Sequence, residues 1–339
     1  VRQRDVDFPT KFQSRKRMRV LITGGAGYIG SHLADRLLAD GHQVTVLDNL
    51  SLGKLSNLEH NLRKAHFRFV EGDILDRRTT VELVGDCDVV YHLAAVVGVK
   101  HVLNDPLRTM ITNVWGTENV LQAASAADRT VVLASSSEVY GKAAEVPLAE
   151  EDDRLLGPTL VTRWCYSVGK ALDEHLALAY HQQRGLRVVV LRYFNSYGPR
   201  LDPNGYGSVV AKFITQALDG RPITVHGDGG QSRCFTYIDD TVEGTVLAAE
   251  NHAACGEVLN IARAEETTIW ELAETIRDLA DSSSEIVSVP YESEYGDLFE
   301  DTRRRVPAVE KAERILRFEA RVSLVDGLQR TIEWFRGGR

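Results

Sequence analysis

Cysteine is too sparse in this chain to staple it. Four residues in 339, Cys87, Cys165, Cys234 and Cys255, are scattered, without metal-like spacing or the density of a disulfide framework. A reducing cytoplasm is the expected setting, and no metal is expected. Long apolar runs are missing too. No stretch approaches the ~20 residues that cross a bilayer, so no membrane partner is expected. An excess of basic charge is also lacking. A net charge of −8 argues against nucleic acid as the main partner, although local basic pockets stay possible. Residues 1–17 carry Arg2, Arg4, Lys11, Arg15, Lys16 and Arg17 without an apolar core, which reads as a flexible tail rather than a secretory leader. Neither repeats nor low-complexity tracts are present.

What is there is a globular composition, 43% hydrophobic and 26% charged, long enough for one large or two fused domains. Apolar runs at Met18–Ile22, Gln43–Leu47, Phe67–Glu71, Val89–His92, Val131–Ala134 and Arg187–Arg192 read as buried strands. Between them lie helix patterns at Ser31–Asp40, from Thr79, from Thr109 and around Tyr166–Lys170. Strands alternating with helices predict an α/β fold, a doubly wound parallel sheet of Rossmann type covered on both faces. Beyond Asn195 the rhythm changes. A helix at Val209–Leu218, a strand at Ile223–His226 and a helix from Asp239 predict a smaller α/β substrate domain. The expected division is 18–195 and 196–339, interleaved, with Ile286–Arg305 as a loop reaching back over the cleft.

Thr23–Gly24–Gly25–Ala26–Gly27–Tyr28–Ile29–Gly30 follows the first strand with glycines three apart. Gly24 permits the tight turn, Gly27 lets backbone approach a pyrophosphate, and Gly30 lets the helix pack closely. Asp48, ending the second strand, is placed to accept from a ribose 2′-hydroxyl; Asn49 rather than an arginine follows it. This favours NAD over NADP. The alternative for Asp48 is a turn or helix cap. Asp73 and Ile74 are placed to flank an adenine, and Leu93, Ala94 and Ala95 are small where a cofactor would pass.

Downstream, Ser136 precedes Tyr166–Ser167–Val168–Gly169–Lys170. Tyr-x-x-x-Lys sets both side chains on one helical face, one turn apart, where the ammonium would lower the phenol's pKa. Glu138 adds a second acid/base that simple hydride transfer does not need; the alternative is a solvated loop residue. His92, His101 and His226 carry no acid/base argument and read as packing or surface residues. Trp164 and Trp270 read as core or interface aromatics.

In order, the glycine loop, His92–Leu93–Ala94–Ala95, Ser135–Ser136–Ser137–Glu138–Val139–Tyr140–Gly141, Tyr166/Lys170, Arg192–Tyr193–Phe194–Asn195, Gly198–Pro199–Arg200 and Gly227–Asp228–Gly229–Gly230–Gln231–Ser232–Arg233–Cys234–Phe235 resemble the extended short-chain dehydrogenase/reductases that act on nucleotide sugars. The resemblance spans about Met18 to Phe335. It implies NAD in the first half and a UDP- or dTDP-sugar in the second, with the sugar C4 hydroxyl oxidised first. In 4-epimerases of that family the position of Glu138 usually lacks an acid. In 4,6-dehydratases an Asp-Glu pair follows the catalytic Thr. The UDP-glucuronate decarboxylases carry Ser-Glu, as Ser137–Glu138 here.

The expected activity is therefore NAD-dependent decarboxylation of UDP-glucuronate through a β-keto acid, giving UDP-xylose or the 4-keto pentose. Ser136 and Tyr166 would hold the C4 oxygen, and Ser137 and Glu138 would orient or relay the proton returned to C5. Two further stretches carry the same resemblance: Gly157–Pro158 with Arg163–Trp164–Cys165, and Tyr295–Gly296 with Arg303–Arg304–Arg305–Val306–Pro307. The latter implies that Arg305 reaches the active site, where a guanidinium would bind a carboxylate or phosphate. Arg303 and Arg304 are alternatives in register. Arg233 would contact the pyrophosphate, and Asn195 the phosphate or sugar. A 4-epimerase and a non-catalytic NAD-binding regulator are the other readings. The family commonly forms homodimers through the Tyr166 helix and the one near Thr109–Ala124. Val120, Leu121 and Ala124 on one and Leu172, Leu176 and Tyr180 on the other would be the apolar faces.

Overall fold

The computed structural model describes residues 17–143, 145–203, 209–291 and 302–338. Six strands open the chain: β1 Arg19–Thr23, β2 Gln43–Asp48, β3 Phe67–Glu71, β4 Val89–His92, β5 Thr130–Ser136 and β6 Val188–Tyr193. Helices α1 Tyr28–Ala39, α2 Arg77–Gly85, α3 Val99–Asn104, α4 Pro106–Met110, α5 Gly116–Ala127 and α6 Trp164–Arg184 lie between them. Along β1, Val20 and Ile22 enter one core while Leu21 enters the other. A strand buried on both faces is the pattern a parallel sheet between helical layers demands.

The second half adds short strands β7 Ser196–Tyr197, β8 Ile223–His226, β9 Ser232–Cys234, β10 Thr236–Tyr237, β11 Val258–Ile261, β12 Glu266–Thr268, β13 Ile286–Val289 and β14 Arg304–Arg305. Helices α7 Val209–Leu218, α8 Ile238–Glu250, α9 Ile269–Leu279, α10 Glu310–Leu316 and α11 Leu324–Gly337 accompany them. The main sheet runs β11-β6-β5-β4-β1-β2-β3, every pair parallel. Its seventh strand thus comes from the second half of the chain, beside β6. The expected loop at Ile286–Arg305 is partly strand: β13 pairs with β8, and β14 joins β9. Tyr295–Gly296 and residues 1–16 lie outside the described residues.

Three helix starts differ from the sequence reading by two residues or more. Helix α1 begins at Tyr28 rather than Ser31, since Gly27 precedes it without a side-chain cap to mark the spot. Helix α2 begins at Arg77 because Asp76 accepts from the Arg78 and Thr79 amides. The helix expected from Thr109 begins at Pro106, capped by Asp105, and passes through a π turn at Ile111–Trp115 into α5. Inside that turn Asn113 accepts from the Val96 amide (2.7 Å) and donates to the Val96 carbonyl (3.1 Å), fixing the segment after β4.

Candidate active site

All strands of the main sheet point the same way, so Thr23, Asp48, His92 and Ser136 end at one edge, where open α/β sheets bind ligands. A cavity of about 970 Å³ lies there. It brings together Gly24, Gly27, Tyr28, Ile29, Gly30, Asp48, Asn49, Ile74, Leu93, Ala94 and Ala95 with Ser136, Ser137, Glu138, Tyr166, Lys170, Asn195 and Arg305. Two expected residues stand off its wall. Asp73 accepts from the Asn49 side chain (2.8 Å), supporting a lining residue rather than lining the cavity itself. Arg233 is buried on β9, opposite Arg305 in register, and donates to the Ser232 carbonyl.

At the first end, Gly24 adopts φ +71°, and a Cβ there would meet the Ala94 backbone at 2.7 Å. Any larger residue would close the loop onto the wall. Asp48 is buried; its carboxylate accepts from the Ala26 amide (2.9 Å) and the Leu50 amide (2.8 Å). Burial raises its pKa, and the two amide bonds work against that. The carboxylate thus caps its own turn and still lines the cavity. A glycine cradle followed by this carboxylate fits a dinucleotide.

At the other end, Ser136 accepts from the Glu138 amide (3.2 Å) and opens a 3₁₀ turn, Ser137–Tyr140. Glu138 sits between guanidiniums: Arg305 donates to Oε1 at 2.6 Å, and Arg163 lies 3.4 Å from Oε2. Arg305 and Arg163 are almost fully buried, whereas a quarter of the Glu138 side chain is exposed. Burial would raise the carboxyl, but Arg305, Arg163 and Arg233 together bring it down to about 2. Held ionised, Glu138 has no proton to give at neutral pH. That electrostatic setting favours an orienting role for Glu138 over proton donation.

The Tyr166–Lys170 pair also departs from expectation. Burial, and then the Glu138 carboxylate, push the phenol above its ordinary value; a hydrogen bond with Ser136 pulls the other way. The Lys170 ammonium donates to the Ala134 carbonyl (3.1 Å) and to Asp173 Oδ2 (3.2 Å), with no hydrogen bond to the phenol among the described residues. One turn of helix brings the two to the same wall without pairing them.

Arg163 is the main site residue that sequence reasoning did not single out. Its guanidinium lies 5.4 Å from the Trp164 ring, so the aromatic that reads as core supports a cavity group. Of the histidines, His92 is buried between Thr23 and Thr117, and His226 stacks on Tyr291. His101, however, lines the cavity.

The sequence from residue 20 to residue 262 matches the family model for the NAD dependent epimerase/dehydratase family. The chain belongs to that family. Its cofactor is NAD, and the strand order and helical layers are those of the family's Rossmann fold. Among curated relatives of this epimerase/dehydratase, a UDP-N-acetyl-alpha-D-glucosaminuronate decarboxylase of Bacillus cytotoxicus is 45% identical over 94% of this chain and 98% of its own. The UDP-glucuronic acid decarboxylase 1 of Xenopus tropicalis is 39% identical over 97% of this chain and 75% of its own. Among solved structures, a UDP-glucuronic acid 4-epimerase of Bacillus cereus, in complex with UDP-glucuronic acid and NAD, superposes with a TM-score of 0.84. That epimerase is 32% identical, over 95% of this chain and 100% of its own. No helix among the described residues is long and apolar enough to cross a membrane.

Proposed function

We propose that this enzyme removes carbon dioxide from a UDP-linked hexuronate, UDP-glucuronate first, through a 4-keto intermediate. The observation that carries the reading is Glu138 held by Arg305 and Arg163 on the cavity wall beside Tyr166. A wall carrying Arg305 and Arg163 beside Tyr166 has the guanidiniums to bind a carboxylate at the sugar's C6.

When bound, NAD takes hydride from the sugar's C4 and can return it. Ser136 and Tyr166 hold the C4 oxygen, and Tyr166 would accept its proton as the phenolate, a form that the positive nicotinamide of bound NAD would favour against burial. The resulting ketone lies β to the carboxylate. The C5–C6 bond then breaks, carbon dioxide leaves, and its electron pair passes to the C4 oxygen as an enolate held by the same two hydroxyls. Arg305 and Arg163 orient the carboxylate, Glu138 holds Arg305 in place, and C5 takes up a proton from water. Asn195 and Arg233 are proposed on the nucleotide side.

Identity to the Bacillus cytotoxicus protein favours a 2-acetamido uronate as second substrate to try. The test is mass spectrometry of UDP-glucuronate and UDP-N-acetylglucosaminuronate incubated with enzyme and NAD. Loss of the mass of carbon dioxide, or of carbon dioxide and two hydrogens where the ketone is kept, is the expected result. An isomer of unchanged mass would make the enzyme a 4-epimerase. Bound NAD without any turnover would leave the regulator.

We also infer a homodimer through the expected pair of helices, with a different set of residues on the first of them. Val120, Leu121 and Ala124 are buried inside the subunit. The exposed apolar residues on α4–α6 are Leu107 (70%), Trp115 (64%), Val168 (41%) and Leu172 (41%), the last two one helical turn apart. A cytoplasmic setting fits the four free cysteines.

A further inference from the structure

Asp173 has no place in the chemistry above, yet it is fully buried and ion-paired to the residue at its centre. It follows Lys170 by three residues on α6, and its Oδ2 stands 3.2 Å from the ammonium. An ammonium has three donors. The Ala134 carbonyl and Asp173 take two, leaving one toward the cavity that Lys170 lines. Asp173 Oδ1 has no hydrogen-bond partner within normal distance among the described residues, although the Thr117 hydroxyl acts on the same carboxylate.

Thr117 leads further. Its Oγ1 is 3.0 Å from His92 Nε2, and His92 Nδ1 is 2.7 Å from Thr23 Oγ1. The Ala94 amide donates to that same Thr23 oxygen. With the Thr23 hydroxyl donating to Nδ1, the imidazole donates from Nε2 to Thr117, and the Thr117 proton is left to face Asp173. This tautomer gives each group a role. His92 is neutral in it, as burial requires. The hydrogen-bonded chain therefore runs from the start of the glycine loop to Thr117, beside the Asp173 carboxylate.

We propose that Asp173 is the positioning residue for Lys170, its carboxylate holding the ammonium in place during hydride transfer, with the buried chain Thr23–His92–Thr117 packed behind it. A buried ammonium stripped of its counter-ion gives up its proton more readily, and that is the change D173N would make. The other charged group facing Lys170 and Tyr166 is Glu138 after β5, with Arg305 and Arg163 behind it. Glu174 is spent on Arg192 and Ser135.

The inference rests on Tyr166 and Lys170 being the reaction centre, so the test includes Y166F beside D173N and T117V. Turnover is followed against pH, with the sugar nucleotide that proves to be the substrate. D173N is expected to lower kcat about tenfold or more, with KM little changed, and to move the high-pH limb down by about one unit. T117V should shift the same limb less. A structural role alone would lower the melting temperature and leave the profile in place. Unchanged turnover in Y166F would overturn the reaction centre itself. Lost turnover in Y166F, with a wild-type kcat and profile in D173N, would overturn Asp173's role. Should D173N fail to fold, an unmoved profile in T117V would overturn it equally.

Discussion

Replacing Glu138 by Gln keeps the shape of the side chain and removes its charge, leaving Arg305 and Arg163 facing each other at a buried wall. A carboxyl brought from 4.5 to about 2 stabilises the folded state by roughly 3 kcal/mol. Breaking one partner out of a buried pair costs on the order of 3–5 kcal/mol. With an unfolding entropy of about 2.1 cal/mol/K per residue, that range lowers the melting temperature by roughly 4–7 °C in a chain of 339 residues. The pH dependence has a definite sign. Glu138's folded value lies below its unfolded one, so its contribution is complete above about pH 5 and fades as pH falls toward 2. Calorimetry of the wild type and E138Q should show the full gap at pH 7.5. The ionic part should shrink by roughly a quarter at pH 4 and by more than half at pH 3. UDP-glucuronate should restore part of the lost stability in E138Q, its carboxylate replacing the missing one, whereas UDP-glucose should not. Equal melting temperatures at pH 7.5, or a gap indifferent to pH, would refute the account of Glu138.

Y166F should lower turnover by about a hundredfold or more while NAD binding by calorimetry stays near wild type, since the phenol acts on the substrate proton. Arg305→Met should reduce kcat/KM for the uronate by roughly a hundredfold, read by carbon dioxide release, with UDP-glucose binding little affected. The double variant Leu107→Lys and Trp115→Lys should sediment as a monomer where the wild type sediments as a dimer; a monomeric wild type would remove the proposed interface.

The first six strands were legible because most are short apolar runs buried on both faces, and β3, β4, α7 and β8 have the expected limits. Boundaries set by a single cap were harder to read. Asp76 starts α2 two residues before Thr79, and nothing in the composition of that stretch marks Asp76 over its neighbours. At the site, the glycine loop, Asp48 and Tyr166–Lys170 announce themselves by spacing within one element. Arg163 does not: its partner Glu138 is 25 residues away, and the contact exists only once β5 and the start of α6 lie side by side. The same limit misled the reading of Tyr166 and Lys170. Helical spacing gives a shared face, but not the Ala134 carbonyl and Asp173 that claim the ammonium.

The seventh strand has a consequence for how the chain comes together. Strand β6 is buried along its whole length, and its outer edge is covered only by β11, which begins 65 residues after β6 ends. On the ribosome, everything needed to build the cofactor cradle is therefore available before the sheet can be closed. During that interval the edge of a mostly apolar strand stands open, the kind of surface on which nascent chains pair with one another. Translation speed between Asn195 and Ile261, and chaperone cover over that stretch, would then govern the yield of this protein more than the strength of the finished sheet.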